Sequence, residues 1–244
     1  MTGRTVLLTL TMLATLTGTP LLAAEGPPGL SIDRLFESPD LSGPQPRGLK
    51  ISPDSSRVTF LRGKENDRLQ MDLWEYHLAE NEIRLLVDST DLVAGPETLS
   101  DEELARRERL RIVDQRGIVS YHFSPDGGSL LFPLNGDLYL YTLASGEVRQ
   151  LTATDAGEID PKFSPKGGYV SFVRDQNLFV IDLATGKERA LTEDGGGLIK
   201  NGMAEFIAQE EMARYTGYWW SPDESTIAFM RVDESPVKLV QRFE

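Results

Sequence analysis

Near the end of this 244-residue sequence, the stretch AEFIAQEEMARYTGYWWSPD (204–223) places two adjacent carboxylates, Glu210 and Glu211, on a predicted short helix. An aromatic strand beginning at Tyr218 follows a few residues later. Side-by-side like charges bring a helix no stability, and Arg214, four residues beyond Glu210, offers only partial neutralisation. Most such pairs are simply solvated. The chemistry open to this one is to converge on a single cationic head such as a free α-ammonium, whose pKa of ~7.7–8.0 keeps it substantially protonated at neutral pH. Charge-assisted hydrogen bonds to such a group contribute about 1.5–3 kcal/mol each, enough to separate a free N-terminus from an acylated one.

Other chemistries are poorly supplied. The sequence has no cysteine, which excludes a disulfide scaffold, a thiol nucleophile and a thiolate zinc site. His77 and His122 are its only histidines, so a multi-histidine metal centre is not expected, and no cofactor is implied. Both read as structural or solvent-exposed residues of blade strands. The net charge of -13, from 25 basic and 38 acidic residues without an extended basic patch, argues against a nucleic-acid partner.

The elements that must position the glutamates form a repeat. LKISPDSSRVTFLR, YHFSPDGGSLLFPL, PKFSPKGGYVSFVR and YWWSPDESTIAFMR share an apolar residue, a Ser-Pro-Asp or Ser-Pro-Lys turn, and then an alternating apolar strand. DLYLYTLASGEVRQLT and NLFVIDLATGKERALT align without a gap as the second half of the unit, with DLWEYHLAENEIRLLV a weaker copy. Four short antiparallel strands in roughly 40 residues are one blade of a β-propeller. In the strand YWW, Trp219 and Trp220 point to opposite faces, one toward the core. The aspartates of the turns read as turn-formers rather than catalytic acids.

Ser124 to Ser164 is 40 residues, one clean repeat, whereas Ser52 to Ser124 is 72 and Ser164 to Ser221 is 57. The surplus falls in 89–117 and 195–217, neither of which reads as strand. In the first, Ser100 and Glu103 form a capping box ahead of the helical run ELARRERLRI, whose Glu102–Arg106 and Glu103–Arg107 spacings suit ion pairs. In the second, Gly-rich punctuation precedes a helix around Glu205 to Arg214. The expected fold is therefore all-β: a partial β-propeller of about four blades with helical insertions near 98–112 and 203–214. Ahead of it, residues 1–24 have one positive charge at Arg4, an apolar run from Val6 to Leu16, then Gly18, Pro20 and small residues at Ala23 and Ala24. That layout is a secretory signal peptide, so periplasmic or secreted localisation is expected, with no membrane association beyond export.

AEFIAQEEMARYTGYWWSPDESTIAFMRVDESPV resembles the Glu-Glu segment of the dipeptidyl peptidase IV family, serine exopeptidases of the prolyl oligopeptidase clan. The blades alone would be weak support, but the Glu-Glu helix running into YWWSPD is specific. The resemblance extends over nearly all of residues 25–244. It implies an eight-bladed propeller capped by an α/β-hydrolase domain, peptide substrates with a free N-terminus, and release of X-Pro or X-Ala dipeptides, in a full-length form that can be a homodimer. Glu210 and Glu211 would grip the substrate N-terminus, and an arginine from 105–111 would hold a substrate backbone carbonyl. Arg107 and Arg106 are the candidates, and spacing does not choose between them. No G-x-S-x-G elbow occurs in the sequence and neither histidine follows the Glu-Glu segment. The expectation is an N-terminal gating portion with no catalytic residue of its own, inactive by itself. The alternative is a TolB-like periplasmic propeller that binds a protein partner, which would have no need of the Glu-Glu helix.

Overall fold

The computed structural model describes residues 29–37, 41–43, 45–238 and 240. The expected signal peptide lies outside the described residues. The chain divides into two units, Met1–Ser38 and Pro39–Glu244. In the first, the short helix α1 (Ile32–Phe36) is capped by Ser31, whose hydroxyl accepts from the Arg34 N–H at 3.1 Å. No described helix is long and apolar enough to cross a membrane.

In the second unit β1 (Arg47–Ile51), β2 (Arg57–Gly63), β3 (Gln70–His77) and β4 (Glu82–Val87) form an antiparallel meander, the first blade. The first insertion carries α2 (Ser89–Leu92) and α3 (Asp101–Arg109) and returns through β5 (Arg116–Gly117), which pairs in parallel with β3. The second blade is β6 (His122–Phe123), β7 (Ser129–Leu134), β8 (Asp137–Thr142) and β9 (Glu147–Gln150). The third is β10 (Ile159–Phe163), β11 (Tyr169–Arg174), β12 (Asn177–Asp182) and β13 (Glu188–Ala190). Beyond it lie β14 (Ile199–Asn201), α4 (Phe206–Glu211), β15 (Tyr218–Trp220), β16 (Ile227–Phe229) and β17 (Arg231–Asp233).

The partial propeller is as expected, with three complete blades and a fourth region divided into two two-stranded sheets, β15–β16 and β14–β17. One expectation fails within it. Both insertions contain a strand: β5 ends 89–117, and β14 lies in 195–217 and pairs with β17, Ile199 opposite Asp233 and Asn201 opposite Arg231. This pairing closes the second insertion against a strand more than thirty positions away, which no local pattern reports.

The repeated Ser-Pro-Asp turn has a mechanical explanation. The serine hydroxyl accepts from the backbone N–H five residues on, Ser52 from Arg57, Ser124 from Ser129, Ser164 from Tyr169 and Ser221 from Thr226, at 2.9–3.1 Å. In three copies the same hydroxyl donates to the turn aspartate, to Asp54 at 2.6 Å, Asp126 at 2.5 Å and Asp223 at 2.6 Å. The third copy has Lys166 in place of the aspartate, and a carboxylate arrives from the neighbouring repeat: Glu224 Oε1 accepts from the Lys166 N–H at 2.6 Å. The β7–β8 hairpin turns on Asn135-Gly136, with φ of 51° and 91°, the mirror-image two-residue turn that suits strand twist.

The turn aspartates respond to pH in a defined way. Hydrogen bonds from the Ser52 and Ser221 hydroxyls, then from Ser56 and Ser225, hold the exposed Asp54 and Asp223 carboxyls down at about 2. The folded state favours the carboxylate, so this stabilisation is complete above the ordinary aspartate pKa of ~3.9 and disappears as pH falls toward 2. Near-ultraviolet circular dichroism followed from pH 5 to 2 should show tertiary structure weakening across that window. The double variant Asp54→Asn, Asp223→Asn should flatten the dependence between pH 4 and 2, and an unaltered acid profile would contradict this role.

Candidate functional site

The two insertions meet above the second and third blades. The first is built around α3, whose N-cap Ser100 accepts from the Glu103 N–H at 3.3 Å, as the capping box requires. The reciprocal half of the box is not made. Glu103 instead turns its carboxylate to Arg106, at 2.6 and 2.8 Å, and to Arg107 Nε at 2.8 Å. Arg107 is buried, and its Nη1 also donates to Glu97 Oε2 and to the Gln115 carbonyl, each at 2.8 Å. Glu97 in turn accepts from the Gly117 N–H, so this arginine fastens the start, helix and exit of the insertion together. Burial pushes the Glu103 carboxyl up, but bonds and charge from Arg106 and Arg107 outweigh it and hold the group below its usual range. Two further bonds anchor the insertion on the blades, Thr98 N–H to Asn135 Oδ1 at 2.6 Å and Gln176 Nε2 to Glu102 Oε1 at 3.2 Å.

The second insertion carries α4, which is shorter than its sequence suggests, Phe206–Glu211 in place of a helix running to Arg214. Glu205 acts as the N-cap, its carboxylate accepting from Ile207 N–H at 2.6 Å and Ala208 N–H at 2.7 Å. At the other end Ala213 takes φ of 50° and the Arg214 N–H closes on the Ala208 carbonyl at 3.0 Å, a left-handed stop that reverses the chain. Glu210 and Glu211 therefore occupy the last turn of α4. There the partial negative charge of the helix end disfavours anions and favours a cation by about 0.3–1 kcal/mol.

The two glutamates differ in their partners. Glu210 Oε1 pairs with Arg109 Nε at 2.7 Å, and the Arg109 guanidinium also lies 5.7 Å from the centre of the Phe206 ring. Both members of this pair are partly open to solvent, 24% and 39% exposed in their side chains. A pair in that setting is worth only ~0.2–1 kcal/mol, so an incoming cation can share or take over Glu210 at little cost. Glu211 is exposed and makes no ion pair or hydrogen bond among the described residues.

Beside the glutamates a cavity of ≈ 120 Å³ is lined by Glu102 and Arg106 from α3, His122 and Asp160 from the blades, and Gln209 and Tyr215 from the second insertion. Of the two arginines singled out by sequence, Arg106 faces this cavity while Arg107 is committed to the buried network. Arg109, which sequence reasoning passed over, is the arginine that touches Glu210. Its signal was its position one further turn along α3 from Glu102 and Arg106. His122 reaches solvent in a concavity crowded by protein atoms. Burial, then the charges of Lys50, Lys162 and Arg106, push its imidazole down to about 4, so it is neutral at physiological pH. Trp220 turns inward, stacked on Tyr169 with ring centres 5.8 Å apart and donating Nε1–H to Ser171 Oγ at 2.8 Å, while Trp219 is exposed, as strand alternation requires. Among the described residues no group of three or more His, Cys, Asp or Glu side chains could hold a metal ion.

Residues 124–244 match the family model described as the dipeptidyl peptidase IV (DPP IV) N-terminal region. Among solved structures, the crystal structure of Porphyromonas gingivalis dipeptidyl peptidase 4 is similar, with a TM-score of 0.56 and 25% sequence identity. The match covers 79% of this chain and 26% of that one, so this chain spans about a quarter of the length of its solved neighbour.

The assignment of Arg107 to structure and of His122 to a neutral state can both be measured. Arg107→Ala strands Glu97, leaves Glu103 with Arg106 alone, and should destabilise the fold by roughly 3 kcal/mol in chemical denaturation. Arg109→Ala, at the exposed pair, should change stability by less than ~1 kcal/mol. In an NMR titration the His122 ring protons should move with a midpoint near 4, and a midpoint near 6.5 would contradict the crowded environment described.

Proposed function

We propose that this chain, whose residues 124–244 belong to the dipeptidyl peptidase IV N-terminal region family, is the substrate-gating propeller portion of an exported serine exopeptidase that removes X-Pro or X-Ala dipeptides from free peptide N-termini. The observation that carries the reading is the state of the two glutamates. They sit together on the last turn of a short inserted helix, and among the described residues one is unpaired and the other is held by a solvent-open arginine. A peptide α-ammonium brings three N–H donors and one positive charge to a place where two carboxylates and a helix C-terminus all favour it. Acylation of the peptide removes the charge and leaves both carboxylates without their partner, which makes the site selective for free N-termini.

With the ammonium held by Glu210 and Glu211, a guanidinium from α3 is the natural partner for the first backbone carbonyl. Arg109 is already bonded to Glu210, and Arg106 lines the adjoining cavity, so these two are better disposed for the role than the buried Arg107. Fixing the N-terminus at one point makes the distance to the scissile bond a count of residues, which is how a binding site for an amine becomes a ruler for dipeptides. Bond cleavage itself requires a serine nucleophile, a histidine base and an acid that the 244 residues do not furnish in the G-x-S-x-G pattern. In this reading those groups come from a further part of the full-length polypeptide, which can be a homodimer.

The test is the full-length protein carrying Glu210→Ala and Glu211→Ala together. Loss of two charge-assisted bonds should lower kcat/KM for a Gly-Pro chromogenic substrate by at least about 100-fold, with thermal stability retained. The unaltered protein should ignore the N-acetylated form of the same substrate. Equal kcat/KM in variant and parent would refute the grip, and failure of the unaltered protein to cleave the substrate would leave a non-catalytic binding propeller as the better account.

A further inference from the structure

The seam between blades is built twice from the same parts. In the first copy Lys50, on β1, donates to the Tyr121 carbonyl of the next blade and lies 4.8 Å from the centre of its ring. Tyr121 Oη accepts from Thr59 Oγ1 at 3.0 Å and donates to the Gly48 carbonyl at 2.7 Å. In the second copy Lys162, on β10, donates to the Tyr218 carbonyl at 3.0 Å and lies 3.7 Å from that ring. Tyr218 Oη accepts from Ser171 Oγ at 3.3 Å and donates to the Asp160 carbonyl at 2.6 Å. The registers coincide: Lys50 sits opposite Thr59 and Lys162 opposite Ser171, each beside an irregularity in the strand.

The copies differ in two respects, both at the second insertion. Where the first has Gly48 at φ of 58°, the second has Asp160 at φ of 50°, a left-handed conformation that glycine adopts freely and aspartate does not. A strained residue in place of an available glycine points to a use for its side chain. The Asp160 carboxylate lies 3.1 Å from the Lys162 ammonium, an ionic contact rather than a well-aligned hydrogen bond. Lys162 also donates to Thr216 Oγ1, a bond with no counterpart around Lys50. Thr216 is the closing residue of the loop that carries the glutamates. It bridges to Met203 at the loop's entry, and the following Gly217 lies so close to the Met203 backbone that a Cβ there would overlap it. Residues 203–216 thus form a closed loop whose neck is tied from outside by the Met230 backbone, bonded to Gly202 and Gly217, and by the Lys162 ammonium at Thr216.

We propose that Lys162, held by Asp160, is a positioning residue that fixes the neck of the Glu210–Glu211 loop and so sets where the grip stands over the propeller. Burial lowers the Lys162 pKa and raises that of Asp160, each against the pull of the other's charge. The inference rests on the gripping role assigned to the pair.

Four variants of the full-length protein separate this role from simple stability. Asp160→Gly restores the first copy's geometry and relieves the strain, so its melting temperature should equal or exceed the parent's. Its KM for a Gly-Pro substrate should nonetheless rise about tenfold with kcat little changed, as a misplaced N-terminal anchor requires. Lys162→Met should raise KM at least as much, with partial recovery in Lys162→Arg. Trypsin cleavage after Arg214, inside the neck, gives a readout independent of catalysis and should quicken in Asp160→Gly and Lys162→Met. Lys50→Met, at the seam without an inserted loop, should alter neither KM nor that cleavage. Unchanged KM and unchanged cleavage in both Asp160→Gly and Lys162→Met would overturn the positioning role. Faster cleavage at Arg214 with KM indifferent to Glu210→Ala and Glu211→Ala would instead overturn the grip.

Discussion

The middle strands of these blades are apolar on both faces, and that constraint organises the rest of the molecule. In β7 the fully buried Leu130 and Phe132 pack with Leu61 and Leu73 of the first blade, while Leu131, pointing the other way, packs with Val170 and Phe172 of the third. Burying a side chain of that size contributes about 1.5–3 kcal/mol, and a lone four-stranded sheet would leave half of that gain exposed. Each blade therefore needs a neighbour on either side, and the stacking direction follows from strand alternation. The third blade continues the series through Val173 and Leu178, which pack with the buried Tyr218 of the fourth region.

With the blades committed to one another, variation is confined to the connections between them. The first insertion is stabilised by charge: Arg107 and its acceptors are withdrawn from solvent and mutually satisfied, so the helix is held rigidly at its base. The second is held by geometry, through the Glu205 cap, the left-handed reversal at Ala213 and a neck with room only for glycine at position 217. Between them runs the exposed Arg109–Glu210 pair, a contact open enough to solvent to be worth little in stability. The two insertions thus have firmly held bases joined at their tips by a weak contact.

The placement of acidic groups follows the same division. The carboxylates of the Ser-Pro-Asp turns are consumed by local hydrogen bonds and serve the backbone. Those of Glu97 and Glu103 are consumed by a buried arginine. Glu211 alone of those discussed has no partner among the described residues, on a helix end where an anion is disfavoured.

Much of this protein is determined by interactions spanning a few residues, and these are legible in its sequence. The serine of each turn bonds a backbone group five positions away, Ser100 caps a helix three positions away, and strand alternation puts Trp219 and Trp220 on opposite faces. Repeat spacing then locates both insertions by subtraction. What sequence did not determine is how far α4 extends, that 195–217 includes a strand, and which arginine of α3 reaches the glutamates. A helical repeat says which of Arg106, Arg107 and Arg109 share a face, but not which face the blades will cover. Packing made that decision, sinking Arg107 into the base of the insertion and sending Arg109 to Glu210, 101 positions along the chain. Tertiary structure likewise put Asp160 in a glycine's conformation beside Lys162, because only the assembled seam brings β10 against the neck of the loop that carries Glu210 and Glu211.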